Sequence, residues 1–150
     1  MSYAEGTEVP VERSKAEIEH ILDRYGADGF GYLVEGDRAV VIFSAGGRKI
    51  RFTLPLPEIA EVAKTPTGRN RKPGVVDEAR RSEIRRRWRA LCLSIKAKLE
   101  VVECGISEFE EEFMPYIIMP NGKTVAEQIR PQIAEAYESK KVSRLLLTAE

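Results

Sequence analysis

Apolar residues at Ile18, Ile21, Leu22 and Tyr25 follow the i, i+3, i+4, i+7 spacing of one helix face. Ser14 with Glu17 three positions later has the form of a capping box, so this helix is predicted to open at Ser14. Gly26 is placed to close it in the left-handed conformation. The period then changes to two. Phe30, Tyr32 and Val34 alternate with Gly31 and Leu33, and Ile50, Phe52 and Leu54 alternate with Lys49, Arg51 and Thr53. Between them, residues 39–43 form an unbroken β-branched and aromatic run that suits a buried middle strand. Gly36-Asp37 and Gly46-Gly47 supply two tight turns. Pro55 and Pro57 end the ladder, because proline donates no backbone hydrogen bond.

The second half reads as helical. Residues 58–63 suit one helical turn, and residues 64–74 (KTPTGRNRKPG) carry no apolar period and read as a mobile basic loop. Ile84, Trp88, Leu91, Ile95, Leu99 and Val102 then step by threes and fours, which predicts a long helix over residues 76–103 with one core-facing stripe. Gly105 ends it. Ser107 with Glu110 predicts a short acidic helix, residues 116–119 a strand, and Thr124 with Glu127 a last helix to Ser139 that Pro131 should kink or divide. Leu145, Leu146 and Leu147 form an apolar run that needs a surface to cover it. Together these elements predict a flexible tail at residues 1–13 and one α+β domain over residues 14–150. In that domain a helix and a three-stranded antiparallel meander are packed by a long basic helix, with a helical C-terminal part.

Charge alters this picture. The formal net charge is zero, yet residues 64–98 hold twelve Lys and Arg against three acids, a surplus of nine. The other 115 residues carry twelve basic and 21 acidic side chains, a deficit of nine. On a helix, Arg85, Arg89 and Lys96 fall on one flank of the apolar stripe, Arg80, Arg87 and Lys98 on the other, and Arg86 points away. Arginine offers bidentate donors that suit phosphate. The candidate ligand-binding set is therefore Arg69, Arg71 and Lys72 in the loop with Arg80, Arg81, Arg85, Arg86, Arg89 and Lys96 on the helix. The competing reading is a solvated face whose arginines pair with the acidic remainder, residues 108–112 included.

Other chemistry is sparse. Asn121-Gly122-Lys123-Thr124 has the end of a phosphate-binding loop, but Ile117 stands where that motif requires glycine. A turn into a capped helix is expected there. His20 is the sole histidine and has no nucleophile in a recognisable motif, so no catalytic residue is assigned. Cys92 and Cys104 lack metal-ligand spacing and read as free buried thiols. Trp88 lies on the apolar stripe and reads as core. No metal site and no cofactor is expected. No apolar run approaches the ~20 residues of a bilayer span, and the polar, acidic N-terminus lacks the form of a secretory signal. A cytoplasmic protein without membrane contact is the expectation.

Two resemblances extend this reading. The order helix, three antiparallel strands, long basic helix is similar to that of double-stranded-RNA-binding domains over residues 14–103. Here about twenty residues precede an arginine-rich second helix, where such domains use a short link and a lysine-rich opening, and no functional residue carries over. The stretches VPVERSKAEIEHILDRYGADGF, RRRWRALCLSIKAKLEVVECGISEFEEEF and MPNGKTVAEQI resemble a group of small bacteriophage and prophage proteins. That resemblance implies a context, the cytoplasm of a bacterial host, rather than an activity. The expected function is non-enzymatic binding of a phosphate-bearing ligand, nucleic acid before nucleotide. The alternatives are an anti-defence protein that sequesters a nucleotide signal or inhibits a host protein, and a phage structural or assembly protein. A homo-oligomer is expected.

Overall fold

Two-residue turns set the register of the sheet. Gly46 and Gly47 both hold positive φ, 58° and 74°, as a type I′ hairpin turn requires. In the computed structural model, which describes residues 4–142, this turn joins β2 (Arg38–Ala45) to β3 (Arg48–Pro55), and Gly36-Asp37 joins β1 (Gly29–Glu35) to β2. The order is β1-β2-β3, antiparallel throughout. Pairing of Phe30 with Phe43, Tyr32 with Val41, Val41 with Phe52 and Phe43 with Ile50 puts the large apolar side chains on one face.

Two helices cover that face. α1 (Val11–Tyr25) brings Ile18 and Leu22. The long α3 (Pro73–Glu103) brings Trp88, Leu91, Cys92, Ile95 and Leu99, the predicted stripe with Cys92 added. Ile84 and Val102 pack at its margins. α4 (Phe109–Phe113) closes the end of the core, where the buried Phe113 ring meets Phe43 and Phe52 edge-on at 5.8 and 6.3 Å. The remaining elements are a single turn α2 (Ile59–Val62), a 3-10 turn (Met114–Tyr116) and α5 (Val125–Ser139). The architecture is α+β, with no helix among the described residues long and apolar enough to cross a membrane.

Several boundaries differ from the sequence pattern for identifiable reasons. α1 starts at Val11, because the Pro10 carbonyl already accepts from the Arg13 and Ser14 N–H groups. Ser14 is thus inside the helix and fully buried, and its hydroxyl has no hydrogen-bond partner among the described residues. α3 starts at Pro73, in the first turn, where proline loses nothing. The Ser107 hydroxyl bonds the Glu108 carbonyl instead of capping α4. The strand expected at residues 116–119 is reduced to the bridges Ile117 to Ile50 and Ile118 to Thr124, between Pro115 and Pro120. The Thr124 capping box forms as expected, and α5 runs through Pro131 as one helix. Cys104 is exposed, not buried. Leu145, Leu146 and Leu147 lie outside the described residues. The middle strand is buried on one face only. α1 and α3 share that face, and Ile42 on the other is open to solvent.

Two substitutions test this packing by thermal or denaturant unfolding. An N-cap serine costs about 1 kcal/mol on replacement by alanine. Ser14→Ala is expected instead to leave stability unchanged or raise it by up to about 1 kcal/mol, since it removes a buried unpaired hydroxyl from a helix interior. Phe113→Ala is expected to cost about 3–5 kcal/mol, as loss of a buried aromatic does.

Candidate functional site

Burying the stripe of α3 lays its basic residues along two rims and one outer face, and carboxylates meet most of them. On the α1 side, the Glu17 carboxylate takes Arg89 and is 3.9 Å from the Lys96 ammonium. On the β3 side, Arg87 binds Glu61 at 2.7 Å, Glu83 at 3.0 Å and the Pro55 carbonyl at 2.8 Å. Arg80 donates to the Pro57 carbonyl at 3.1 Å, and Lys98 reaches Glu112 at 3.5 Å. Along the outer face, Glu78 takes Arg81 and Arg85 at 3.1 and 3.0 Å, and Glu83 takes Arg86 at 3.1 Å. The two-flank placement from helical periodicity therefore holds for Arg89 and Lys96 on one side and Arg80, Arg87 and Lys98 on the other, while Arg85 turns to Glu78 of its own helix. Of the acidic run at residues 108–112, Glu110 pairs with Arg48 and Glu112 with Lys98.

These contacts shift the carboxylates. The guanidinium bond from Arg89 holds Glu17 below the usual carboxylate range. Bonds from Arg85 and then Arg81 do the same for Glu78, and the bond from Arg87 for Glu61. Arg87 is raised despite its burial, because Glu61 and Glu83 both accept from it. Burial pushes the Cys92 thiol up to about 11, which leaves it protonated and poorly nucleophilic at neutral pH. Arg87 was no site candidate from the sequence, yet it ties α3 to α2 and to the end of β3. Its place on the helix flank signalled its direction, and only the packing supplied its partners.

The loop before α3 is arranged differently. Lys64 bridges Asn70, Thr65 N–H donates to the Arg69 carbonyl at 2.8 Å, and Arg71 N–H donates to the Ala63 carbonyl at 2.8 Å. The Thr65 hydroxyl accepts from the Arg69 N–H at 3.1 Å. The basic loop is thus closed on itself by its own backbone. The Arg71 guanidinium turns inward to the Val62 carbonyl at 3.0 Å. Lys64, Arg69 and Lys72 are exposed, and no ion pair to them is found among the described residues. Lys72 is the N-cap of α3, whose first turn carries no acid.

The uncovered face of the sheet forms a shallow concavity of about 740 Å³. Leu33, Val40 and Ile42 line its floor, and Arg38, Lys49 and Arg51 its rim. Arg51 is already engaged by Glu127 at 3.0 Å and by the Gly122 carbonyl at 3.2 Å. The aromatic side chains of the sheet point the other way. Trp88 is 1% exposed, with Tyr32 against its edge and the Lys15 ammonium over its ring, so it serves the core as expected. Among the described residues no group of His, Cys, Asp and Glu converges as metal ligands would. The chain matches no family model, no curated protein and no solved structure.

The Arg89–Glu17 pair is about three-quarters shielded and joins two helices. Glu17→Gln is expected to cost about 1 kcal/mol at pH 7. A carboxylate with a lowered pKa stabilises above its unfolded value, and that contribution is lost as pH falls through the folded value. The deficit of the variant should therefore shrink below about pH 4, as measured by urea unfolding across pH.

Proposed function

We propose that the protein is a non-catalytic binding module for a phosphate-bearing ligand, with nucleic acid the first candidate. Contact is made by the loop before α3 rather than by the whole arginine belt. The observation that carries this reading is the contrast in pairing. Lys64, Arg69 and Lys72 stand exposed without carboxylates among the described residues, at the positive end of a 31-residue helix with no acid in its first turn. The helix dipole favours an anion there. The arginines behind the loop divide by the value of their present contacts. Arg81 and Glu78 are both more than half exposed. Such a pair is worth little, so Arg81 can exchange its carboxylate for a phosphate, whereas the neighbouring pairs are more shielded, through Arg85 at 26% and Glu83 at 22% exposure. Arg80, Arg87 and Arg89 hold elements together and belong to the scaffold. Arg71 and Lys96 are secondary, the first through its carbonyl bond and the second through Glu17.

Binding of this kind rests on counterion release, with a slope of about 0.9 per phosphate contact. Three loop contacts predict a slope of log affinity against log salt of about −3, read by fluorescence anisotropy with single- and double-stranded DNA and RNA. Arg69→Ala with Lys72→Ala should weaken binding about tenfold at 50 mM salt and flatten the slope by about 2. Arg89→Ala should lower the melting temperature and leave the slope unchanged. Absence of affinity at 50 mM salt, or affinity independent of salt, sinks the proposal.

A second reading is a protein partner, such as a host factor with an acidic surface. It is favoured by Leu33, Val40 and Ile42 on the floor of the uncovered sheet face, inside a basic rim. It predicts a stoichiometric complex in which Ile42→Lys weakens binding and the loop substitutions do not.

A further inference from the structure

The two edges of the sheet are finished differently. Along β3, Ile117 bridges Ile50 and the Ile118 N–H donates to the Lys49 carbonyl at 2.8 Å. The Lys49–Ile50 end of that edge is thus occupied by the chain's own backbone. Along the outer edge of β1 no strand or bridge is found among the described residues. In an antiparallel ladder, every second residue turns its N–H and C=O away from its one neighbour. β1, seven residues long, therefore leaves the N–H and C=O groups of its alternate residues without a strand partner among the described residues.

β1 carries none of the devices that blunt an edge. It has no proline and no lysine, and its only charge is Glu35 at the end. Its register with β2 advances one residue at a time, so no bulge twists it away. Tyr32, Leu33 and Val34 are 49%, 59% and 51% exposed, the largest run of exposed apolar residues in the sheet.

We propose that the occupant of this edge is a second copy of the chain. β1 pairs antiparallel with β1 of the partner about a two-fold axis at Tyr32, giving one six-stranded sheet. The strand is self-complementary in the register that uses its full length. That register sets Phe30 opposite the partner's Val34, Gly31 opposite Leu33, and Gly29 opposite Glu35. Opposed side chains share a face. Leu33 then lies over the gap left by Gly31, where even an added Cβ would meet nothing within 4 Å. No like charges are directly opposed. Because the two-fold contact uses the same β1 edge of both copies, it is closed at two copies instead of propagating from one to the next. The contact is small, of the weak and transient class, so its dissociation constant is expected in the micromolar range.

Sedimentation of the full chain from about 1 to 200 μM brackets that constant. A monomer passing to a dimer is expected, and Leu33→Lys, on an exposed position that leaves the core intact, should raise the dissociation constant at least about tenfold. Cysteine pairing reads the register. With Cys104→Ser as background, Gly31→Cys and Leu33→Cys variants mixed under mild oxidation should give a disulfide-linked heterodimer in preference to either homodimer. A chain that stays monomeric at the highest concentration overturns the proposal. So does a dimer indifferent to Leu33→Lys, or cross-linking that shows no preference for the 31–33 pair.

Discussion

The contact on which the rest depends is the apolar stripe of α3 against the sheet. Trp88, Leu91, Cys92, Ile95 and Leu99 cannot be buried without turning the arginines between them toward the rims of the contact. Each rim then lies beside another element. α1 supplies Glu17, α2 supplies Glu61, the end of β3 supplies carbonyls, and α4 supplies Glu112. A charge surplus that looks in the sequence like a ligand site is spent largely on holding four elements around one helix. Lys64, Arg69 and Lys72, in the loop ahead of α3 that the core contact does not reach, stay exposed without a carboxylate among the described residues.

The same contact decides the shape of the sheet. α1 and α3 both use one face, so the sheet is a single layer with a covered side and an open side. Arg51 on the open face is tied to Glu127 at the start of α5, and Ile117 and Ile118 run along the β3 edge. The C-terminal segment thus meets the Lys49–Ile50 end of one edge, and the opposite edge has no strand beside it among the described residues. The molecule presents surfaces of two kinds, a cationic loop at one end of α3 and an apolar, hydrogen-bonding edge at β1.

Much of the fold was legible because periodicity reports burial directly. The 3.6 and 2.0 periods located α1, the three strands and the α3 stripe, and the glycine pairs located the turns. Where the reading missed, a local motif competed with a backbone already committed elsewhere. Ser14-x-x-Glu17 has the form of a cap, but Pro10 starts the ladder first. Ser107 has the right neighbour at Glu110, but its hydroxyl finds the Glu108 carbonyl. Thr124 with Glu127 forms its box because nothing upstream opens that helix sooner. For the site, helical angles assigned Arg85, Arg89 and Lys96 to one flank and Arg80, Arg87 and Lys98 to the other. They could not say that Glu17 and Glu61, 72 and 26 residues away from their arginines, would be waiting there.

The order of elements, the identity of the core-facing side chains and the concentration of positive charge before and along α3 were determined by the sequence alone, since each depends on residues close together in the chain. Which arginines are neutralised, which sheet face stays open and which edge stays unpaired were decided only in the tertiary structure. Those outcomes depend on distances between residues far apart in sequence. No period or motif encodes them until the core has brought the elements together.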